Sequence, residues 1–312
     1  MDILNVSGQS MVHSKGLLPL MRSYPLLFFY LIAFGLTWIY EVIVLLLLHL
    51  SLIPWVIPAP LLGPTLAAFI MTAITEGRPG VLRLLRRYVL WRVDAQWYLF
   101  VLLGIPALLL FSILVLPGAI AAFRVPALTF ILGYLVTYIF IFFAGGPFFE
   151  EPGWRGFALP RLQQRSGPLL GTLILGVLWG LWHLPLFLIP GYNGAGTGFV
   201  GISVPFIAFV IAATAMAFIF TWVFNNTRGS LLLAMLLHAS VNTASDAFLR
   251  FSPSLPTAPL AAMSSYIAFI LLALIIIAAT RGRLSYERYR RETELPTPKP
   301  VMRQAPLAPF LD

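Results

Sequence analysis

The chain has 312 residues, 60% of them hydrophobic and only 10% charged, with a mean hydropathy of +0.91. A soluble domain carries about 25% charged residues, so the composition excludes an ordinary water-soluble fold and belongs to the membrane class. The absence of cysteine excludes disulfides, thiolate metal sites and cysteine nucleophiles, and the net charge of +9 calls for nucleic acid or anionic lipid, depending on where the charges fall.

Lys15 and Arg22 precede an apolar run, Pro25–Leu50, that is too long for a signal-peptide core and has no small-residue cleavage site, so it reads as a retained membrane helix. Further apolar runs cover Pro54–Thr75, Gln96–Ala122, Pro126–Phe149, Pro168–Ile189, Ile202–Phe224, Ser230–Phe248 and Leu260–Thr280. Each can cross about 30 Å of hydrocarbon at about 1.5 Å per residue. The expectation is an all-α, polytopic membrane bundle of eight transmembrane helices, with consecutive helices as antiparallel neighbours. If the spans alternate, eighteen of the twenty Lys and Arg fall on one side: Lys15, Arg22, the run from Arg78 to Arg92, Arg155, Arg161, Arg165, Arg228 and all those after the last helix. Arg124 and Arg250 remain opposite. The positive-inside rule then puts both termini in the cytoplasm.

This reading divides the chain into a cytoplasmic segment 1–24, a membrane domain 25–283 and a cytoplasmic tail 284–312, expected to be disordered because it is charged and proline-rich. Between Arg78 and Arg92 the arginines alternate with Leu, Tyr and Trp, a pattern suited to lying among headgroups. The expected partner of the positive charge is therefore the lipid bilayer, and no nucleic acid is expected. Gly196–Gly201 spells G-T-G-F-V-G, the form of a dinucleotide fingerprint. No strand precedes it, so it reads as a flexible connector. No internal repeat is apparent, which argues against an inverted-repeat transporter.

Ionisable groups inside a bilayer are costly and mark function by default. Those in the apolar spans are Glu41, His49, Glu150, Glu151, His183, His238 and Asp246, with Asn242 as a polar companion. Each also has a structural reading: His49 as a packing donor, Glu41 as a cavity or pairing residue, Asp246 as solvated near the outer surface, and the rest as a buried ion network. Geometry favours a site. Glu151 and Arg155 are four apart, in the favourable acid-before-base order, while Glu150 points about 100° away. His238 and Asn242 are also four apart. Counted from the inner surface, Glu150, His183 and His238 all reach a depth of roughly 15–22 Å. Pro152 and Gly153 are expected to kink the helix there. Gly176 and Gly180 share a face with His183 and would let another helix approach closely.

These segments resemble the CPBP family of intramembrane proteases, which includes type II CAAX prenyl endopeptidases and bacteriocin self-immunity proteins. The family pattern E-E-x-x-x-R, aromatic-x-x-x-H and H-x-x-x-N matches, in order, Glu150-Glu151 to Arg155, Trp179 to His183, and His238 to Asn242. The extended form E-E-x-x-W-R-G is complete through Trp154, Arg155 and Gly156. Trp179 stands where phenylalanine is commoner, a difference expected to alter packing more than chemistry. The motifs lie within 146–246.

The resemblance implies an intramembrane endopeptidase of the cell membrane acting on a protein or peptide substrate, lipidated in CAAX-type relatives. Glu150 and His183 would activate water, His238 and Asn242 would hold the oxyanion or orient the site, and Glu151 with Arg155 would form a clamp, with Trp179 in support. Two mechanisms stay open. Glu150, His183 and His238 form the donor set of a catalytic zinc site, and the same groups could work without metal as a glutamate-dependent protease. A non-enzymatic scaffold or immunity partner, and an ion-coupled transporter, are the rival functions.

Overall fold

A bilayer offers no water to backbone N–H and C=O groups, so separate apolar runs must satisfy them within helices. The computed structural model describes residues 16–49, 58–122, 128–189, 191–251 and 258–293, and among these it is helical with no strand. We label the elements α1 (Leu17–Ser23), α2 (Pro25–Glu41), α3 (Pro58–Tyr88), α4 (Ala95–Leu114), α5 (Leu128–Ala144), α6 (147–166), α7 (168–182), α8 (Gly198–Asn226), α9 (Leu231–Phe251), α10 (Ala258–Ala279) and α11 (Tyr286–Thr293). Among the described residues six stretches are long and apolar enough to cross a membrane, and the apolar part of α9, Leu231–Ser245, is shorter. The chain is a multi-pass membrane protein. Leu135, Val136 and Ile139 of α5 and Leu271, Leu274 and Ile275 of α10 are exposed, as lipid-facing side chains must be.

Several expected boundaries shift, each for a local reason. The first helix runs into a π-helical turn, Val42–Leu47, and stops before His49, which is exposed with φ 50°. The second does not end at Thr75. It breaks at Gly77 (φ 64°, ψ −162°) and resumes through Tyr88, leaving Arg78, Arg83 and Arg86 exposed around a buried Leu84. The fourth ends at Ala144. Gly146 takes φ 104°, a conformation that favours glycine, and Pro147 starts α6, so Glu150 begins a helix of its own instead of continuing α5.

Within α6, Pro152 has no N–H to give to the helical ladder, and residues Pro152–Ala158 widen into a π-helical turn where a kink was expected. All seven residues of that turn are buried. Gly153 is obligatory there, because a Cβ would lie 2.7 Å from the Pro64 carbonyl oxygen of α3. At Gly167 (φ 75°) the chain folds back, and Gly171 rests against the backbone of Leu162. α7 then packs along α8 through the expected small-residue face: a Cβ on Gly176 would meet Thr214 Cα at 2.7 Å, and one on Gly180 would meet Val210 Cα at 2.9 Å. The glycine-rich connector is only partly one, since Gly198–Gly201 already form the first turn of α8.

The arginine-bearing segments gather at one end of the bundle. Arg22 Nε donates to the Ile74 carbonyl, Arg87 to Tyr289 Oη at 2.9 Å, and Ser230 Oγ to the Leu90 carbonyl at 2.6 Å. Arg161 pairs with Glu76, and Arg228 donates to the Arg92 carbonyl. Asn225 joins α8 to Gln163 and to the Leu284 carbonyl. The tail is therefore ordered further than expected. Leu284 is fully buried and α11 packs Tyr289 against Phe224, while 294–312 lies outside the described residues. Arg155 is the exception to the charge tally. It is wholly buried inside the bundle.

Candidate functional site

Glu150 sits in the first turn of α6, immediately after the Gly145-Gly146 break, and is 5% exposed. The positive φ of Gly146 favours glycine, and a Cβ there would lie 2.4 Å from Glu150 Oε1 and displace that carboxylate. The indole Nε1 of Trp179, on α7, donates to Glu150 Oε2 at 2.9 Å. Tryptophan at this position, expected to alter packing more than chemistry, thus also supplies an N–H that a phenylalanine could not offer.

Glu151, one residue on, faces elsewhere and is fully buried. Its Oε1 accepts from Arg155 Nη1 at 3.1 Å, the expected clamp, and also from His238 Nδ1 at 2.8 Å. The second contact was not anticipated. The guanidinium of Arg155 lies 4.3 Å from the Trp179 ring centroid and 4.2 Å from that of Phe220, a cation held between two aromatic faces.

His183 caps the end of α7, where the chain passes into the short 3₁₀ segment Leu184–Leu188. It therefore stands at a helix terminus and not in mid-helix. Its Nδ1 is 2.8 Å from the Trp179 carbonyl, and its ring packs edge-on to Trp182 and Phe209. A carbonyl and a carboxylate can only accept, so both His183 and His238 carry hydrogen on Nδ1. Each leaves Nε2 as its remaining nitrogen, which in the neutral ring is a lone pair.

Glu150, Trp179, His183, His238 and Asn242 line one cavity of about 560 Å³. The side chain of Asp246 lies outside the described residues. Two lining residues bear on the chemistry beyond the expected set. Glu41 of α2, flagged by its charge in an apolar helix, is 2% exposed and faces the same cavity. Tyr192, between α7 and α8, also lines it; its only sequence signal is an aromatic in a glycine-rich connector nine residues after His183. Burial, and then the carboxylates of Glu41 and Glu150, push the Tyr192 phenol up, so it stands as a neutral O–H.

The donor set of Glu150, His183 and His238 is chemically suited to zinc, with Glu151 behind His238 in the manner of an outer-shell carboxylate. The spacing is not: among the described residues no three His, Cys, Asp or Glu side chains come close enough together to hold a metal ion.

Residues 133–244 match the model of the type II CAAX prenyl endopeptidase Rce1-like family. A protein of Methanococcus maripaludis named CAAX prenyl protease 2 is 31% identical over 146 residues, which are 46% of this chain and 53% of the relative. The chain thus spans about half the length of the curated relative it matches.

Proposed function

We propose, from the Rce1-like type II CAAX prenyl endopeptidase domain carried by residues 133–244, that this chain is an intramembrane endopeptidase with Glu150 as its general base. The observation that carries the reading is that Glu150 lines one cavity with both histidines and Asn242, while Glu151 Oε1 is held by Arg155 and His238. The two neighbouring acids therefore have separate tasks. Glu150, oriented by the Trp179 N–H, takes a proton from water as the water oxygen attacks the scissile carbonyl carbon. The side-chain N–H of Asn242 donates to the oxyanion that forms, and His238, with its Nε2 lone pair, accepts from the attacking water and orients it. When the C–N bond breaks, Glu150 returns the proton to the leaving amine, so water ends divided between a new carboxyl and a new amino terminus. Glu151 keeps His238 in one tautomer, and Arg155 holds Glu151 in place. No step of this reading passes through a metal. The substrate is a membrane-associated protein or peptide, and a lipid on it would be met by the apolar helix faces around the cavity.

Glu150→Gln tests this. The amide keeps an oxygen for the Trp179 N–H but cannot take a proton, so the variant should fold normally and lose activity by about 10²-fold or more. Undiminished peptide cleavage per folded molecule would refute the assignment, and a wild-type protein that cleaves no membrane peptide would leave a scaffold.

A further inference from the structure

Glu41 is the acid for which the chemistry above has no use. It sits at the end of α2, where the helix opens into the Val42–Leu47 π-helical turn, and its Oε2 is buried without a hydrogen-bond partner among the described residues. A buried carboxyl left unpaired in a membrane protein is expensive, and its position is maintained only where something compensates for it. No described residue does. Arg155 is held by Glu151 and two rings, with Nε and Nη2 left without a hydrogen-bond partner among the described residues, and it does not line the cavity. No Lys or Arg is among the described residues lining the cavity, whereas two acidic side chains, Glu41 and Glu150, are. Around Glu41 the wall is aromatic: Tyr40 and Tyr192 pack on the small apolar cluster of Val44 and Leu186, and Tyr192 interacts electrostatically with Glu41. Tyr266 also lines the cavity. A carboxylate beside aromatic faces, in a cavity without fixed positive charge, is complementary to a cation.

We propose that Glu41 is a substrate-recognition residue that binds the cationic side chain of a Lys or Arg near the scissile bond. The inference rests on the endopeptidase reading for the identity of its ligand, and it adds a substrate class to the same cavity. It also gives the first membrane helix, which bears none of the family motifs, a direct part in selecting what is cleaved.

The test uses the purified full chain in lipid nanodiscs and peptide pairs that differ only by Lys or norleucine, with that residue moved through the positions on either side of the cleaved bond. At one position the wild type should favour Lys by about tenfold in kcat/KM, the scale of one charge-assisted hydrogen bond. Glu41→Gln should bring that ratio to near one, and Glu41→Lys should turn the preference toward a Glu peptide. If Glu41→Gln does not fold, Glu41→Asp, with its carboxylate drawn back by a methylene, should shrink the ratio without reversing it. A wild type indifferent to Lys at every position, or a preference that survives intact in these variants, overturns the proposal. Binding of the same pairs with an N-methylated scissile bond is measured in parallel. Should the wild type cleave nothing, the endopeptidase reading fails, yet loss of Lys-selective binding in the Glu41 variants would still uphold Glu41 as the recognition group, and equal binding would reject it.

Discussion

Replacing Glu151 by glutamine is the perturbation for which the structure makes the most detailed demand. One carboxylate oxygen serves two partners, Arg155 Nη1 at 3.1 Å and His238 Nδ1 at 2.8 Å, and the Glu151 and Arg155 side chains are both 0% exposed. An amide oxygen can still accept from one of them, but the counter-charge is gone. Breaking a fully buried pair costs about 3–5 kcal/mol, because the remaining ion stays buried without compensation. Arg155 keeps its two ring contacts, which hold a desolvated cation by about 2 kcal/mol, so the loss should fall at the lower end, near 3 kcal/mol. At about 2–4 °C per kcal/mol for a chain of this size, the melting temperature should drop by about 6–12 °C. Activity should fall further than the folded fraction does, because His238 loses the acceptor that sets its tautomer. The assay is a thermal shift in one detergent, with peptide cleavage normalised to folded protein. The double variant Glu151→Gln with Arg155→Met removes both charges and should recover much of the lost stability, since a neutral pair carries no orphaned ion. A Glu151→Gln protein that melts within about 1 °C of wild type, or a double variant no more stable than the single one, would refute the clamp.

Trp179→Phe removes the N–H that Glu150 Oε2 accepts at 2.9 Å and keeps a ring beside Arg155, so it should melt near wild type while kcat falls about tenfold with little change in KM; an equal kcat would show that this bond does not position the base. Because the three donors do not converge on a metal, cleavage should persist in protein stripped to below about 0.1 equivalent of zinc; loss of activity restored by zinc would show that the cavity closes around an ion that the described geometry does not accommodate. Reporters placed after Arg92, Arg165 and Arg283 should all be cytoplasmic and one near Gly196 external, and a cytoplasmic signal at Gly196 would break the alternation assumed in the charge tally.

Composition and spacing alone were enough to identify a helical membrane protein and the three segments that line the cavity. The reason is physical: charge is so costly in hydrocarbon that each acid or imidazole in an apolar run stands out, and 3.6-residue periodicity separates Glu150 from Glu151 without a structure. The glycines of α7 were equally legible, since a helix face without side chains can serve close approach and little else. Boundaries were less so. Apolar runs look the same whether they are continuous or broken, and only the folded chain shows Gly146 and Gly167 in positive-φ conformations that divide 128–182 into three helices.

What tertiary structure alone decided is which partner each polar atom takes. Sequence spacing paired Glu151 with Arg155 because they share one helix, but it had no means of seeing His238, 87 residues away, on the same oxygen. It likewise weighted Trp179 toward packing more than chemistry, because whether an indole N–H meets a carboxylate depends on how α7 leans on α6. Arg155 was grouped with the surface arginines for the same reason: an arginine's cost in a bilayer can be met by headgroups or by a carboxylate and two rings, and only packing chooses. Local chemistry thus determined which residues had to be explained, and the long-range contacts, which no short-range pattern encodes, determined what each of them holds.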